Sequence, residues 1–306
     1  MVNDADQTLI QIYVGCQGWR YADWRKSPSP DALVEADLAV YQPEIGKLWQ
    51  GPFYSNSLLS DQELSTYAQT FSIVEVDSTF YGIPPQETVI RWREETPASF
   101  RFTLKLPRKL THEYRLRQGR GTLAEFCQRA YDLGPKLAGV LIQLPPSFGL
   151  SELDCLSRFL THLPTDICFF IEFRDPAWFS PEIQERLSQF PVSSVLSETP
   201  WIAQDLAYAS INAQAEGPVY IRVMGPKEGE LSQFTHLQVN QMQKLQHLVS
   251  KINAITAQNR QVYVLVDNHF QGFSPGTASL LKAMLQLPLQ PYPAERGVVQ
   301  LHLPLI

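Results

Sequence analysis

The chain has 306 residues, 44% hydrophobic and 18% charged, a composition that excludes a disordered or fibrous protein and suits a globular one. Its formal net charge of -6 provides no global positive field for nucleic acid or an anionic membrane. The opening residues MVNDADQTLI lack a basic stretch followed by a long apolar one, and no run of about 18 apolar residues marks a transmembrane helix, so a cytoplasmic setting is expected. Four cysteines, at 16, 127, 155 and 168, show neither CxxC nor zinc-ligand spacing, and the apolar neighbours of the last three predict buried thiols.

Taken in chain order, eight segments repeat one pattern: 10–19 (IQIYVGCQGW), 73–82 (IVEVDSTFYG), 100–112 (FRFTLKLPRKLTH), 139–148 (GVLIQLPPSF), 167–174 (ICFFIEFR), 192–200 (VSSVLSETP, of ambiguous parity), 219–225 (VYIRVMG) and 261–269 (QVYVLVDNH). Each is an apolar run that turns polar at its C-terminal end. In 167–174, one parity is Ile167, Phe169, Ile171 and Phe173, while the other begins with Cys168 and Phe170 and ends with Glu172 and Arg174. A strand with period two that is apolar on one face and opens onto charge only at the tip of the other has two buried faces. Between most of these runs lie stretches with helical spacing: 63–71, 85–95, 122–133, 152–163, 181–190, 240–255 and 277–287. Ser180–Pro181 and Ser274–Pro275 read as a cap followed by a first-turn proline.

Alternating strands and helices predict an α/β protein with a parallel sheet, and eight such units predict a single-domain (β/α)8 TIM barrel over residues 1–306. A doubly wound open sheet is the weaker alternative, because GCQGW (15–19) is not the glycine-rich phosphate turn that fold requires. Residues 25–60, rich in Pro and Ser, read as an extended first βα loop that leans over the barrel mouth. The apolar tail 296–306 is expected to pack back on the barrel.

Strand ends in this order, namely GCQGW with Trp24, GPFY (51–54), VEVDSTFYGIP (74–84), FRFTLKLPRKLTH, LIQLPPSF (141–148), IEFRDPAWF (171–179), VYIRVMG and DNHFQG (267–272), resemble the YecE-like family, domain of unknown function 72. The resemblance spans nearly the whole chain, with 25–50 as an apparent insertion. It implies a TIM barrel and supplies no reaction. Three positions depart from the family pattern: Met224 where His is frequent, Glu198 where Asp is usual, and Asp267 where a first Asn is frequent.

By parity, the residues facing inward near the C-terminal rim are Glu75, Asp77, Lys105, Gln143, Glu172, Arg174, Arg222 and Asp267. This set reads as a polar pocket at the end of the barrel where active sites sit, or as an ion network that fills the barrel. Arg174, Arg222 and Lys105 are candidate anion clamps, since the arginine fork matches carboxylate and phosphate; alternatively each arginine orients a neighbouring carboxylate. Glu75 and Glu172 are the leading acid–base candidates, assisted by Asp267, His269 or His112, with Asn268 beside His269. A glycosidase-like carboxylate pair is a minority option. A metal site built from Glu172, Glu198, Asp267 and His269 is another, disfavoured because no HxH or HExxH spacing is present, so no cofactor is required by the sequence. Of the aromatics that follow strands (Trp19, Tyr81, Phe148, Trp178), Trp19 and Trp178 are expected to line the pocket. The start of the last helix, GFSPGT (272–277), offers N–H groups to a phosphate, with an ordinary cap as the better reading.

These readings predict an enzyme performing acid–base chemistry on a small anionic substrate, phosphorylated or carboxylated. One alternative is a non-catalytic barrel binding nucleic acid or a partner through 101–120, which carries seven Arg or Lys against one Glu. A second is a metal-dependent sugar isomerase or hydrolase. Neither the oligomeric state nor the reaction is specified by the sequence.

Overall fold

The structure, a computed structural model, describes residues 12–29, 48–199, 202–203, 206, 208, 217–225 and 231–295. All strands pair in parallel, in the order β6-β5-β4-β3-β2-β1-β9-β8-β7. They are β1 Ile12–Gln17, β2 Ile73–Val76, β3 Arg101–Lys105, β4 Leu137–Gln143, β5 Phe169–Glu172, β6 Val192–Ser194, β7 Leu196–Glu198, β8 Val219–Val223 and β9 Val262–Val266. The two ends of the sheet, β6 and β7, are halves of one strand separated by Val195. The first half pairs with β5 and the second with β8, which closes the sheet into a barrel of eight strand positions. The ambiguous parity of 192–200 has its cause here: the strand changes partner at Val195, whose N–H donates to Ile171 O at 2.8 Å.

Helices follow the strands: α1 Glu63–Tyr67, α2 Gln86–Glu94, α3 Arg120–Tyr131, α4 Leu153–Leu160, α5 Pro181–Leu187, α6 Met242–Thr256 and α7 Ser274–Met284. At α5, the Ser180 hydroxyl accepts from Ile183 N–H and Pro181 occupies the first turn, the cap read in the sequence. The barrel is therefore a TIM-type α/β fold built around one sheet.

Two apolar clusters confirm the division by parity. Val74, Val76, Phe102, Leu104, Val140, Ile142, Phe169, Ile171, Val264 and Val266 pack outward in the main core. Tyr13, Ile73, Leu141, Phe170, Val195, Tyr220, Tyr263 and Leu265 form a separate cluster inside the barrel. That inner plug fills the N-terminal half, so polar groups on the same parity lie above it toward the C-terminal rim. Cys168 corrects the expectation of a buried thiol. It is exposed, whereas Cys16, Cys127 and Cys155 are buried, because it precedes the first paired residue of β5 and lies below the plug.

The first βα connection is partly outside the described residues, at 30–47, and its described flanks are tied down. Trp24 is fully buried among Phe53, Tyr54 and Tyr67, and its indole N–H donates to Asn268 Oδ1 at 3.1 Å. Gly51 N–H donates to Thr235 O at 2.7 Å, joining this loop to the one after β8. The tail 296–306 lies outside the described residues. Among those described, no helix is long and apolar enough to cross a membrane.

The β1–β2 seam contains a side chain. The Tyr67 hydroxyl accepts from Cys16 N–H at 2.7 Å and donates to Ile73 O at 3.0 Å, replacing a direct backbone bond. Only glycine fits at position 15, since a Cβ would stand 1.8 Å from Ile73 O. Tyr67→Phe would leave a buried donor and a buried acceptor unpaired, and should lower unfolding free energy by about 1–3 kcal/mol in urea with an unchanged m-value. A change within a few tenths would mean that the seam closes without the hydroxyl.

Candidate active site at the C-terminal rim

Arg222 on β8 stands at the centre of the polar tier and is 2% exposed. Its Nε donates to Glu75 Oε2 at 3.0 Å and its Nη2 to Glu75 Oε1 at 2.7 Å, a bidentate pair across the barrel. Nη2 also donates to Gln17 Oε1 at 2.7 Å, and Nη1 reaches Glu172 Oε2, Met224 Sδ at 3.1 Å and Gln143 Oε1 at 3.5 Å. Tyr220, one layer below, donates its hydroxyl to Glu75 Oε2 at 2.6 Å and contacts Thr103 Oγ1 at 2.9 Å. Glu172 spends its other oxygen on Arg174, whose Nε donates to Oε1 at 2.9 Å. Lys105 and Asp77 form a second pair at 2.9 Å, with the Lys105 ammonium 4.7 Å from the centre of the Phe80 ring.

This arrangement separates the two glutamates. Burial pushes the Glu75 carboxyl up, with Asp77 adding to the rise and Arg222 and Lys105 opposing it. Burial would raise Glu172 as well, but the Arg222 and Arg174 guanidinium groups outweigh it and hold the carboxyl at about 2. Glu172 is therefore ionised across the physiological range with both oxygens committed to arginine, a geometry that orients Arg174 and Arg222 rather than moving a proton. All three guanidinium nitrogens of Arg222 are likewise occupied by protein. Its expected part as a substrate clamp gives way to the alternative weighed beside it, an arginine that orients carboxylates.

Arg174 is different. Its Nη2 is buried and has no hydrogen-bond partner, while the side chain as a whole is 18% exposed. Near it, burial depresses the half-buried His112 imidazole to about 4, helped by the charges of Arg174, Arg108, Lys105 and Arg115. His112 contacts Thr111 Oγ1 through Nδ1 at 2.8 Å and meets the Phe80 ring edge-on at 5.2 Å. The loops after β3 and β5 thus gather positive charge around a neutral histidine. Sequence reasoning gave His112 only an assisting part, because chain order does not reveal how many cations surround it.

Other expected site residues hold the rim together. Asp267 accepts from His269 N–H at 3.2 Å and caps the turn after β9. His269 rests against Phe234 with ring centres 4.9 Å apart. Asn268 Oδ1 accepts from Trp24 Nε1 and from the N–H and hydroxyl of Ser274, at 2.9 and 2.8 Å, so the start of α7 is capped inside the protein and offers no phosphate site. Trp178 does not line a pocket. It is fully buried, stacks on Phe173 at 4.6 Å, and donates its indole N–H to Phe148 O at 2.8 Å. Trp19 also belongs to the core outside the strands, edge-on to Trp92 at 5.8 Å. Both rings pack because the residues just past each strand turn under the rim instead of over it.

Among the described residues, no group of three His, Cys, Asp or Glu converges as a metal site. The Glu198 side chain lies outside them. The basic stretch 101–120 does not form one patch. Arg101 is at the opposite end of the barrel over Tyr13, Lys105 is paired with Asp77, and Arg115 and Arg117 both clamp Glu152. A cavity of about 900 Å³ lies at the N-terminal end among Ile12, Phe71, Phe100 and Leu287, away from every charged group of the polar tier.

A closed parallel barrel with a charged tier at its C-terminal end defines a TIM-type barrel protein. The family described as "Protein of unknown function DUF72" matches residues 46–297, and the chain belongs to that family. It is 29% identical over 297 residues to the protein YunF of Bacillus subtilis, covering 90% of this chain and 94% of that one. It is 37% identical over 123 residues to YecE of Escherichia coli K12, a match spanning 40% of this chain and 45% of YecE. Among solved structures, a DUF72 family protein of Thermotoga maritima superposes with a TM-score of 0.64 at 20% identity, covering 90% of this chain and 98% of that one. A DUF72 family protein of Enterococcus faecalis superposes with a TM-score of 0.60 at 22% identity, covering 74% and 94%. These likenesses carry the fold.

Two outcomes test the network. Arg222→Met would leave two carboxylates buried without their cation and should cost about 3–5 kcal/mol in chemical unfolding. Glu172, held at about 2 against an ordinary 4.5, contributes stability that is present above about 4.5 and is lost as pH falls toward 2. In Glu172→Gln, unfolding free energy measured against pH should lack that segment. Parallel acid-limb curves for the two proteins would refute the assignment.

Proposed function

We propose that the protein is an enzyme carrying out acid–base chemistry on a small anionic substrate, phosphorylated or carboxylated, at the C-terminal rim between the loops after β3 and β5. One observation carries this reading. The guanidinium of Arg174 is fixed by Glu172 at Nε and keeps a buried Nη2 with no protein partner. Leaving a buried donor unpaired costs about 1–3 kcal/mol, more when it is charged, so such a group calls for a partner that the protein itself does not supply. An oxyanion can accept from two N–H groups on one edge of a guanidinium at once. Lys105, with the charges of Arg108 and Arg115, adds to the same positive field.

The proton carrier in this reading is His112. In the tautomer whose Nδ1–H donates to Thr111 Oγ1, Nε2 presents a free lone pair. Burial, with the surrounding cations adding to it, makes it a weak base. A bound anion offsets those charges and raises its proton affinity toward neutrality, where general bases work best. The proton leaves the bound substrate for Nε2 and returns from the imidazolium in the second half of the reaction. Glu172 positions Arg174 and acts through it and not on substrate, while Glu75, Gln17 and Gln143 hold Arg222 within the tier.

Inorganic phosphate, sulfate and small carboxylates at increasing concentration should raise the melting temperature by mass action, and Arg174→Ala should abolish the rise. The His112 ring resonances should titrate near 4 without ligand and well above that with saturating phosphate. An unchanged melting temperature with every anion would rule out the anion site, and a His112 titration that ignores a bound anion would rule out its part.

A further inference from the structure

Beside the rim, a cleft of about 570 Å³ opens between the loop after β2 and the loop after β3, within the range of small-molecule sites. Its walls include Phe80, Tyr81, Arg108, Lys109, Glu113 and Glu125. Tyr81 is 82% exposed and stands edge-on to Phe80, with ring centres 5.5 Å apart. Single exposed aromatics are common on protein surfaces. Tyr81 differs in what adjoins it, since Phe80 links it to both the Lys105 ammonium, 4.7 Å from its ring centre, and the His112 ring, 5.2 Å away. A flat ligand lying on Tyr81 would have its next group beside the cations that surround His112. On the other side, the Glu113 and Glu125 carboxylates are acceptors for ring-borne N–H donors.

Resting on the anion site proposed above, we infer that the substrate is nucleotide-like: a nitrogen heterocycle that stacks on Tyr81 within this cleft, joined to a phosphate that reaches Arg174 and Lys105. Stacking on an exposed tyrosine is tolerant of ring identity and supplies affinity, while the acidic wall favours rings bearing amino groups over plain aryl rings. A substrate with a planar ring on the far side of its anion occupies the cleft that the ion network leaves unused.

Calorimetric titration of the full chain with inorganic phosphate, phenyl phosphate, adenosine and adenosine 5′-monophosphate tests it. The nucleotide should bind at least about tenfold more tightly than phosphate, with phenyl phosphate between them. Tyr81→Ala, a surface change that leaves the fold intact, should reduce the nucleotide to the affinity of phosphate, and Arg174→Ala should remove binding of both. Equal affinity for phosphate and nucleotide, unchanged in Tyr81→Ala, overturns the ring site and leaves the anion site standing. No binding of phosphate, phenyl phosphate or nucleotide overturns both. Phenyl phosphate as tight as the nucleotide overturns the heterocycle.

Discussion

The interior of this barrel is organised by one buried arginine. Above the aromatic plug, Arg222 gathers Glu75 from β2, Glu172 from β5 and Gln17 from β1. Burying several charges costs several kcal/mol per ion unless each is paired and hydrogen-bonded, and a planar fork with five donors meets that requirement for two carboxylates at once. A lysine could not, because it offers a single point charge. The aromatic plug and this polar tier together fix where the apolar part of the barrel ends and how deep the mouth is.

The network also decides which groups are left for chemistry. Because Arg222 takes one oxygen of Glu172, the other is free to hold Arg174, and Arg174 is thereby turned with one nitrogen anchored and one unfilled. The acids that look catalytic in the sequence are absorbed in positioning the bases. The group that the tier orients without saturating lies outward, on the loop after β5, where Arg174 keeps its Nη2 without a protein partner. Met224 fits the same logic: its sulfur is one of the acceptors of Arg222 Nη1, so this weakly polar residue takes part in the tier without adding charge.

The loops are fastened with equal economy. Asn268 joins Trp24 of the first connection to the start of α7 through one oxygen, and Tyr67 mends the β1–β2 seam with one hydroxyl. These contacts make the rim a fixed frame. Arg174 is held to that frame by Glu172, and His112 and Tyr81 both stand edge-on to Phe80.

The sequence by itself determined the barrel. A period of two with both faces apolar leaves a parallel sheet covered by helices as the economical burial, and strand parity located Glu75, Gln143, Glu172 and Arg222 inside it, since alternation along a strand is a local property. It could not determine which of these charges spend themselves on each other. Arg222 and Glu75 are 147 positions apart in the chain, and their pairing depends on the closure of the sheet between β6 and β7. The same reason hid the approach of Arg174 to His112, since the cations around that ring come from the stretch 105–115 and from the loop after β5. It also hid the burial of Trp19 and Trp178 beneath the rim, because the direction a chain turns after a strand is set by packing against neighbouring helices and not by the residue that turns.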